Sequence, residues 1–378
     1  MRRCSLALTA LLAVSCGAQD KSGGGPADYG QTKDAVLGAF EIAAANGRSL
    51  SGAQVNEYEV FIECTSFERM YELTGEWPAI LGLELMFIIE NPAYRQFFMD
   101  RAEQHAARGG VIAITWHARN PVRVCPRGEY YKCSQMAMSD EELSRILNPD
   151  TEEHRLWARD IDAVADVLAE MKTKGIAPIF RPYHEMNGGW FWWGQKERYA
   201  DLWRMLHQRL TEEHSLDNLV WAWSPDKASE GADIYYPGNE AVDMVGADIY
   251  TVDREAAMFD AAKRNVAPLH PSGLFAFTEI GLLPAPEIFG AIRPVYFLLW
   301  GGEYINAEWA ADPCDGCNAA QDVKAIIALD QTAGLHELDW PQEASVRYDR
   351  ALRAAPPEPS CPAQVIDAEG GVLDEQPL

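Results

Sequence analysis

Seven short apolar runs, separated by longer amphipathic stretches, leave this chain few ways to fold. The runs cover residues 79–84, 111–116, 176–183, 219–224, 242–249, 274–279 and 295–300. Each is almost continuously aliphatic, β-branched or aromatic, where a half-exposed strand would alternate apolar with polar. A strand apolar on both faces must be covered on both, as in a parallel sheet wrapped by helices. Residues 92–108, 152–174, 196–214 and 254–265 lie between the runs and carry helical periodicity. The pattern predicts an α/β protein, a (β/α)8 TIM barrel, with its remaining strand early in the chain. Propensity places that strand at residues 59–62. Eight strand–helix units in roughly 300 residues suit such a barrel, which takes about 250 plus insertions. A doubly wound sheet is the competitor, but no glycine-rich phosphate loop follows the first strand.

The flanks read differently from the barrel. Arg2 and Arg3 precede an apolar run, residues 6–14, too short to span a bilayer as a mature helix. Ala13-Val14-Ser15-Cys16 then resembles a lipobox. Residues 1–15 are expected to be a signal peptide, with Cys16 the acylated residue of a surface or outer-membrane lipoprotein. Residues 16–29 contain Ser22-Gly23-Gly24-Gly25-Pro26 and read as a tether, followed by one barrel-sized domain over residues 30–355. Residues 356–378 read as a proline- and acid-rich tail, mobile past Cys361. Six further cysteines in an exported chain favour disulfides. Cys125 with Cys133 and Cys314 with Cys317 are the local pairings, which leaves Cys64 with Cys361. A net charge of −25 repels phosphate backbones, so nucleic acid is not an expected partner, and a neutral ligand is the expected one. The chain is expected to act as a monomer.

In a TIM barrel, polar residues at the C-terminal strand ends meet at the active site. Here those ends carry Trp116-His117, Arg181-Pro182-Tyr183-His184-Glu185, Trp221-Ala222-Trp223-Ser224, Asp248-Ile249-Tyr250, Thr278-Glu279 and Trp300. Glu185 follows the fourth strand and Glu279 ends the seventh, across the barrel mouth. Such a pair suits retaining glycoside hydrolysis, which places two carboxyl groups about 5–5.5 Å apart. One is acid/base and the other nucleophile. The aromatic run after Glu185, Trp190-Phe191-Trp192-Trp193, offers a face for sugar stacking at Trp190, with Trp192 and Trp193 packed under the loop. No HExxH spacing or third histidine ligand points to a metal, and no cofactor is expected. Residues 117–150 form a long loop, stapled at Cys125 and Cys133.

Arg181-Pro182-Tyr183-His184-Glu185-Met186-Asn187-Gly188 with Trp190 to Gly194 resembles the acid/base motif of glycoside hydrolase family 26, whose members are mostly endo-β-1,4-mannanases. Thr278-Glu279-Ile280-Gly281 is similar to its nucleophile motif, and Trp116-His117 with Asn120-Pro121 to its third-strand motif. Leu50 to Gln54 resembles its first strand, which moves the expected eighth strand to residues 49–53. The resemblance implies Glu185 as acid/base and Glu279 as nucleophile. It implies sugar contacts from His117, His184, Trp190 and Trp300, with Trp116 in the same motif and Trp223 on the leaving-group side. Tyr250 would hydrogen-bond Glu279. Two departures stand out: Gly301-Gly302 follows Trp300 where some mannanases carry arginine, and Glu84 stands where aspartate is common. The implied substrate is β-mannan or a related plant or algal polysaccharide. The alternatives are another family 26 β-glycanase, acting on β-1,3-xylan or mixed-linkage glucan, or a non-catalytic glycan-binding lipoprotein.

Overall fold

The computed structural model describes residues 28–361, apart from 56–58, 63, 90, 127, 228–230, 310–312, 357 and 360. The expected signal peptide, Cys16 and the tail beyond Cys361 lie outside the described residues. Residues 28 and 29, read above as tether, belong to the ordered body: Tyr29 N–H donates to Lys174 O at 2.8 Å.

Eight parallel strands close into a barrel: β1 (Ser49–Gln54), β2 (Ile80–Glu84), β3 (Val111–Trp116), β4 (Ile179–Pro182), β5 (Val220–Trp223), β6 (Met244–Ile249), β7 (Phe275–Ile280) and β8 (Tyr296–Leu299). Closure comes from β1, which pairs with β8 through Leu50–Ala53 and with β2 through Gly52–Gln54. A ninth strand of two residues, β9 (Thr332–Ala333), pairs with Ser49 and Leu50, below the reach of β2. The expected strand at residues 59–62 is instead a turn, with Phe61 exposed and at φ 70°.

The helices wrap this barrel. They are α1 (Lys33–Ala45), α2 (Ser66–Thr74), α3 (Pro92–Ala107), α4 (Tyr130–Ser134), α5 (Asp140–Ile146), α6 (Glu152–Thr173), α7 (Tyr199–Gln208), α8 (Ala256–Val266), α9 (Pro286–Ile292), α10 (Ala320–Ile327) and α11 (Arg350–Ala354). Their starts are chemically marked. The Thr151 side chain accepts from His154 N–H at the start of α6, and Asn91 caps α3 with Pro92 in its first turn. On α6, Trp157, Ile161, Val164, Leu168 and Met171 recur at helical spacing and are buried against the strands.

Two cores follow from strand alternation. Outward residues such as Ile112, Ile114, Phe180, Trp221 and Phe277 pack under the helices. Inward residues Leu50, Ile80, Val111, Ala113, Ile179, Val220, Ala222, Met244, Ala276 and Leu298 fill the barrel, and Val36 and Phe40 of α1 plug its lower end. All three expected disulfides are present: Cys64–Cys361, Cys125–Cys133 and Cys314–Cys317, each with Cα atoms 5.4 Å apart. The first ties the chain's far end to the segment before α2. The second staples the loop after β3, which contains α4 and α5. No helix of the described residues is long and apolar enough to cross a membrane.

Candidate active site

Following the inward positions up each strand leads from an apolar barrel to a polar floor. Val111 and Ala113 give way to Thr115, Ile179 to Arg181, Val220 and Ala222 to Ser224, Met244 to Asp248, and Ala276 to Thr278. All five polar residues are buried. A buried cation must be paired. Arg181 contacts Asp248 and Glu279 directly and donates to Thr115 Oγ1 at 2.9 Å. Thr278 Oγ1 donates to Asp248 Oδ1 at 2.7 Å. Burial alone would lower the Arg181 pKa, but Asp248, Glu279 and Glu185 outweigh it, and the guanidinium is held above its ordinary value.

Directly above Arg181 the backbone is strained. Tyr183 and Glu185 sit at φ 46° and 54°, a region that side chains with a Cβ rarely occupy. Such strain persists only where the surroundings enforce it. Tyr199 Oη donates to Tyr183 O at 2.8 Å, Trp193 Nε1 to His184 O at 2.7 Å, and Glu185 N–H to Ser224 O at 2.8 Å. Trp192 and Trp193 are fully buried and brace the loop from below, as expected; Trp192 Nε1 reaches Ala118 O at 2.9 Å. Gly194 allows the loop to fold back on itself, because a Cβ there would lie 2.1 Å from Gly188 O. The result lifts Glu185 into the cleft under Trp190, whose Nε1 donates to Glu185 Oε2 at 2.7 Å.

Simple alternation on β7 would turn Glu279 outward, since Thr278 faces in. The registers with β6 and β8 both shift beside it, and this irregularity brings consecutive residues Thr278 and Glu279 to the same interior. Glu279 then receives Arg181 on Oε2 and Tyr250 Oη on Oε1, the latter at 2.5 Å. Gly281 is what lets Tyr250 lie there: an added Cβ would meet the Tyr250 ring at 2.9 Å and the Tyr304 ring at 3.1 Å.

The donors decide where protons sit. Burial pushes Glu185 well above the ordinary carboxylate range, and the charges of Asp248, Glu279 and Asp226 push it further, with Arg181 opposing. Burial also pushes Asp248 up, but Arg181 and Thr278 are both aimed at its oxygens. Glu185 faces a neutral indole N–H, whereas Glu279 faces a guanidinium and a phenol. Of Glu185 and Asp248, Glu185 is therefore the one left with a proton, while Glu279 is the acid that accepts from both a guanidinium and a phenol.

The cleft encloses about 460 Å³ and is lined by His117, His184, Glu185, Trp190, Tyr250, Glu279 and Trp300 among others. His117 Nδ1 bonds Glu84 Oε2 at 2.6 Å, and Glu84 also accepts the backbone N–H groups of Leu85, Met86 and His117. The longer side chain at residue 84 thus ties His117 to the turn that follows β2. His184 packs edge-on to His117, with ring centroids 4.6 Å apart. Burial, then the charge of Arg181, holds its pKa well below the ordinary value, so its imidazole is neutral. Two of the expected sugar contacts are placed elsewhere. Trp116 and Trp223 are 2% and 0% exposed and face outward into the helix-covered core, Trp116 stacked on Tyr183 and Trp223 edge-on to Tyr236.

The cleft also contains Phe191 of the aromatic run, and Tyr131, Gln135, Asp226, Lys227, Glu303 and Tyr304, which carry no role in the sequence reading. Arg181 and Asp248 had been read only as parts of motifs. A lone arginine within an otherwise apolar strand was the available signal, because it requires buried acids opposite. His184, Asp248 and Glu279 offer ligand atoms within 4.8 Å of one another, but the cation's place between the two acids is taken by Arg181.

Residues 30–331 match the family described as Glycosyl hydrolase family 26. A mannan endo-1,4-β-mannosidase of Thermothelomyces thermophilus is 28% identical over 296 residues, 75% of this chain and 58% of that one. Mannan endo-1,4-β-mannosidase A and B of Caldalkalibacillus mannanilyticus is 32% identical over 265 residues, 62% of this chain and 49% of that one. The chain thus spans about half the length of these curated relatives. Among solved structures, GH26A from Muricauda sp. superposes with a TM-score of 0.70 at 25% identity, covering 82% of this chain and 98% of that one. With eight closed strands, the fourth- and seventh-strand glutamates and a match over most of its length, the chain belongs to glycosyl hydrolase family 26.

Proposed function

We propose that this chain is a retaining endo-β-1,4-mannanase. The observation that carries the reading is the unequal treatment of two glutamates in one cleft. Glu185 is buried against other acids, and Glu279 is held by Arg181 and Tyr250. Glu185 would protonate the glycosidic oxygen as the bond breaks, while Glu279 Oε attacks the anomeric carbon to form a glycosyl ester. Glu185, now ionised, would take a proton from water, which attacks the same carbon and releases Glu279 as carboxylate. Trp190 offers a half-exposed indole for stacking, and neutral His184, His117 and Trp300 complete the wall around the reacting sugar. The choice of mannan rests on the names of the relatives.

Reducing ends released from mannan, β-1,3-xylan and lichenan under identical conditions test the proposal. Mannan should be cut fastest, with internal cleavage lowering its viscosity early. Preference for xylan or lichenan would move the chain to another β-glycanase activity. Binding without release on any of the three would make it a glycan-binding lipoprotein. We further propose that the mature chain works at the cell surface, attached through Cys16, since polymeric mannan cannot enter a cell; wild-type protein found wholly outside the membrane fraction with an unmodified N-terminus would refute the attachment.

A further inference from the structure

One acid in the cleft wall does nothing for the fold. Glu185 takes the Trp190 indole, and Glu279 takes Arg181 and Tyr250. Glu303 lines the same cleft and is half-buried, yet among the described residues no donor engages its carboxylate. The loop that carries it is closely held all the same. It leaves β8 at Trp300 and enters a single 3-10 turn, Gly302–Tyr304. Gly302 takes a φ of 68°, open to glycine, and its N–H donates to Ser66 Oγ at 2.6 Å. That hydroxyl donates in turn to Glu59 Oε1 at 2.6 Å. Ile305 N–H closes the turn on Gly302 O at 3.0 Å. Behind it, the buried amide of Asn318 ties this loop to the one after β7. Its Nδ2 donates to Tyr304 O at 2.6 Å and to Gly281 O at 2.7 Å, and its Oδ1 accepts Leu283 N–H at 2.8 Å. Asn318 directly follows the Cys314–Cys317 disulfide. Residue 303 is therefore anchored on both sides, at Gly302 and at Tyr304.

Strand order says which part of a bound glycan it would meet. Glu185 follows β4 and Glu279 ends β7, so the line between them divides the barrel mouth into a β5–β6 side and a β8–β1–β2–β3 side. A polysaccharide cut between these two acids must leave on both sides. Trp300 and Glu303 stand on the second. We infer that Glu303 is a specificity-determining residue, which accepts hydroxyl donors from the sugar unit on the β8 side of the cleavage point and disfavours units that carry acidic groups. The inference rests on the polysaccharide-cleaving role proposed above. A carboxylate only accepts, through two oxygens, and a pyranose offers O–H donors on neighbouring carbons. A half-exposed carboxylate gives up water without loss only where the ligand replaces the donors. A neutral sugar does so; a carboxylated sugar adds a like charge instead.

Calorimetric titration tests this on the full chain carrying Glu279→Gln, which cannot form the glycosyl ester. Mannohexaose, β-1,3-xylohexaose and a mixed-linkage glucohexaose are the probes. Adding Glu303→Ala should weaken mannohexaose binding by about tenfold, the worth of hydrogen bonds to a charged group. Glu303→Gln keeps one acceptor and the side-chain volume, and should weaken it by about threefold. Mannohexaose oxidised to carboxylates at C6 gives a reading that a merely structural role would not move. The preference for plain over oxidised mannohexaose should shrink by about threefold or more in Glu303→Gln, because the like charge is gone. Unchanged mannohexaose affinity in Glu303→Ala, or an unchanged preference in Glu303→Gln, would overturn the inference. Binding of the xylo- or glucohexaose in place of mannohexaose, weakened by Glu303→Ala in the same way, would support it and strike the proposed substrate instead.

Discussion

Mannan hydrolysis by a Glu185→Ala variant should fall by about 10²–10⁴-fold, the usual worth of a positioned general acid. The same variant should form the glycosyl intermediate from an aryl mannoside with a strongly acidic phenol at close to the wild-type rate. A dinitrophenolate leaves without a proton; a sugar alkoxide does not. Structure separates the two outcomes because Glu185 and Glu279 share no hydrogen bond: Glu185 takes Trp190, and Glu279 takes Arg181 and Tyr250. Removing Glu185 leaves the nucleophile's donors in place. Added azide should rescue the second step by attacking the intermediate in place of activated water. Pre-steady-state bursts on the aryl substrate, compared with steady-state rates on mannan, read both effects. Equal loss on the two substrates would remove Glu185 from the acid/base role.

Loss of Arg181 should be felt in stability as well as rate. Its guanidinium is 3% exposed and lies between Asp248 and Glu279, themselves 0% and 4% exposed. Arg181→Met keeps much of the volume and deletes the charge, leaving two acids without their common counter-ion. Breaking such a buried group from one side costs about 3–5 kcal/mol. The loss should depend on pH in a definite sense. Burial already raises the folded-state pKa of Asp248, and without Arg181 to oppose that, it lies further above the unfolded value. Its protonated form is tolerated in the barrel, so stability is retained at acid pH and lost as pH rises through the raised value. Urea midpoints at pH 4.5 and pH 7.5 should therefore diverge more in Arg181→Met than in the wild type. A variant as stable as the wild type at pH 7.5 would show that the acids do not depend on this cation.

Much of this architecture is legible in the sequence because parallel barrel strands are buried on both faces. The expected run at residues 111–116 is β3 to the residue, and those at 79–84 and 274–279 lie within one position of β2 and β7 at each end. The first strand defeats propensity for a packing reason. Ser49–Gln54 is poor in β-formers because the barrel is tight there: a Cβ on Gly52 would meet Leu298 Cδ1 at 2.8 Å and Phe297 O at 3.0 Å. Val60, Phe61 and Ile62 look more like a strand but pair with no strand among the described residues. Motif resemblance found β1 where local preference did not.

The site was legible in part, for equally local reasons. Alternation along β3 and β5 puts Thr115 and Ser224 inside, and so sends Trp116 and Trp223 outward. That signal was present, and a position at a strand end does not override it. For Glu279 the same rule fails, because the register shift on β7 rotates two successive residues inward. Asp226 could not have been found by periodicity at all. It owes its place to a side-chain clamp from Asn187, 39 residues away in sequence.

Glu279 is the group proposed to attack the sugar, and trapping the intermediate tests that role most directly. A 2-fluoro-mannosyl fluoride or dinitrophenyl 2-fluoro-mannoside slows both steps, and its activated leaving group lets the first proceed. Mass spectrometry of the intact protein should gain one fluoromannosyl group, and peptide mapping should place it on Glu279, with none on a Glu279→Gln variant. Proton NMR of early mannan products should show the β-anomer first, as two inversions at one carbon require. Label on another residue, or the α-anomer appearing first, would contradict the roles assigned to Glu279, Arg181 and Tyr250 together.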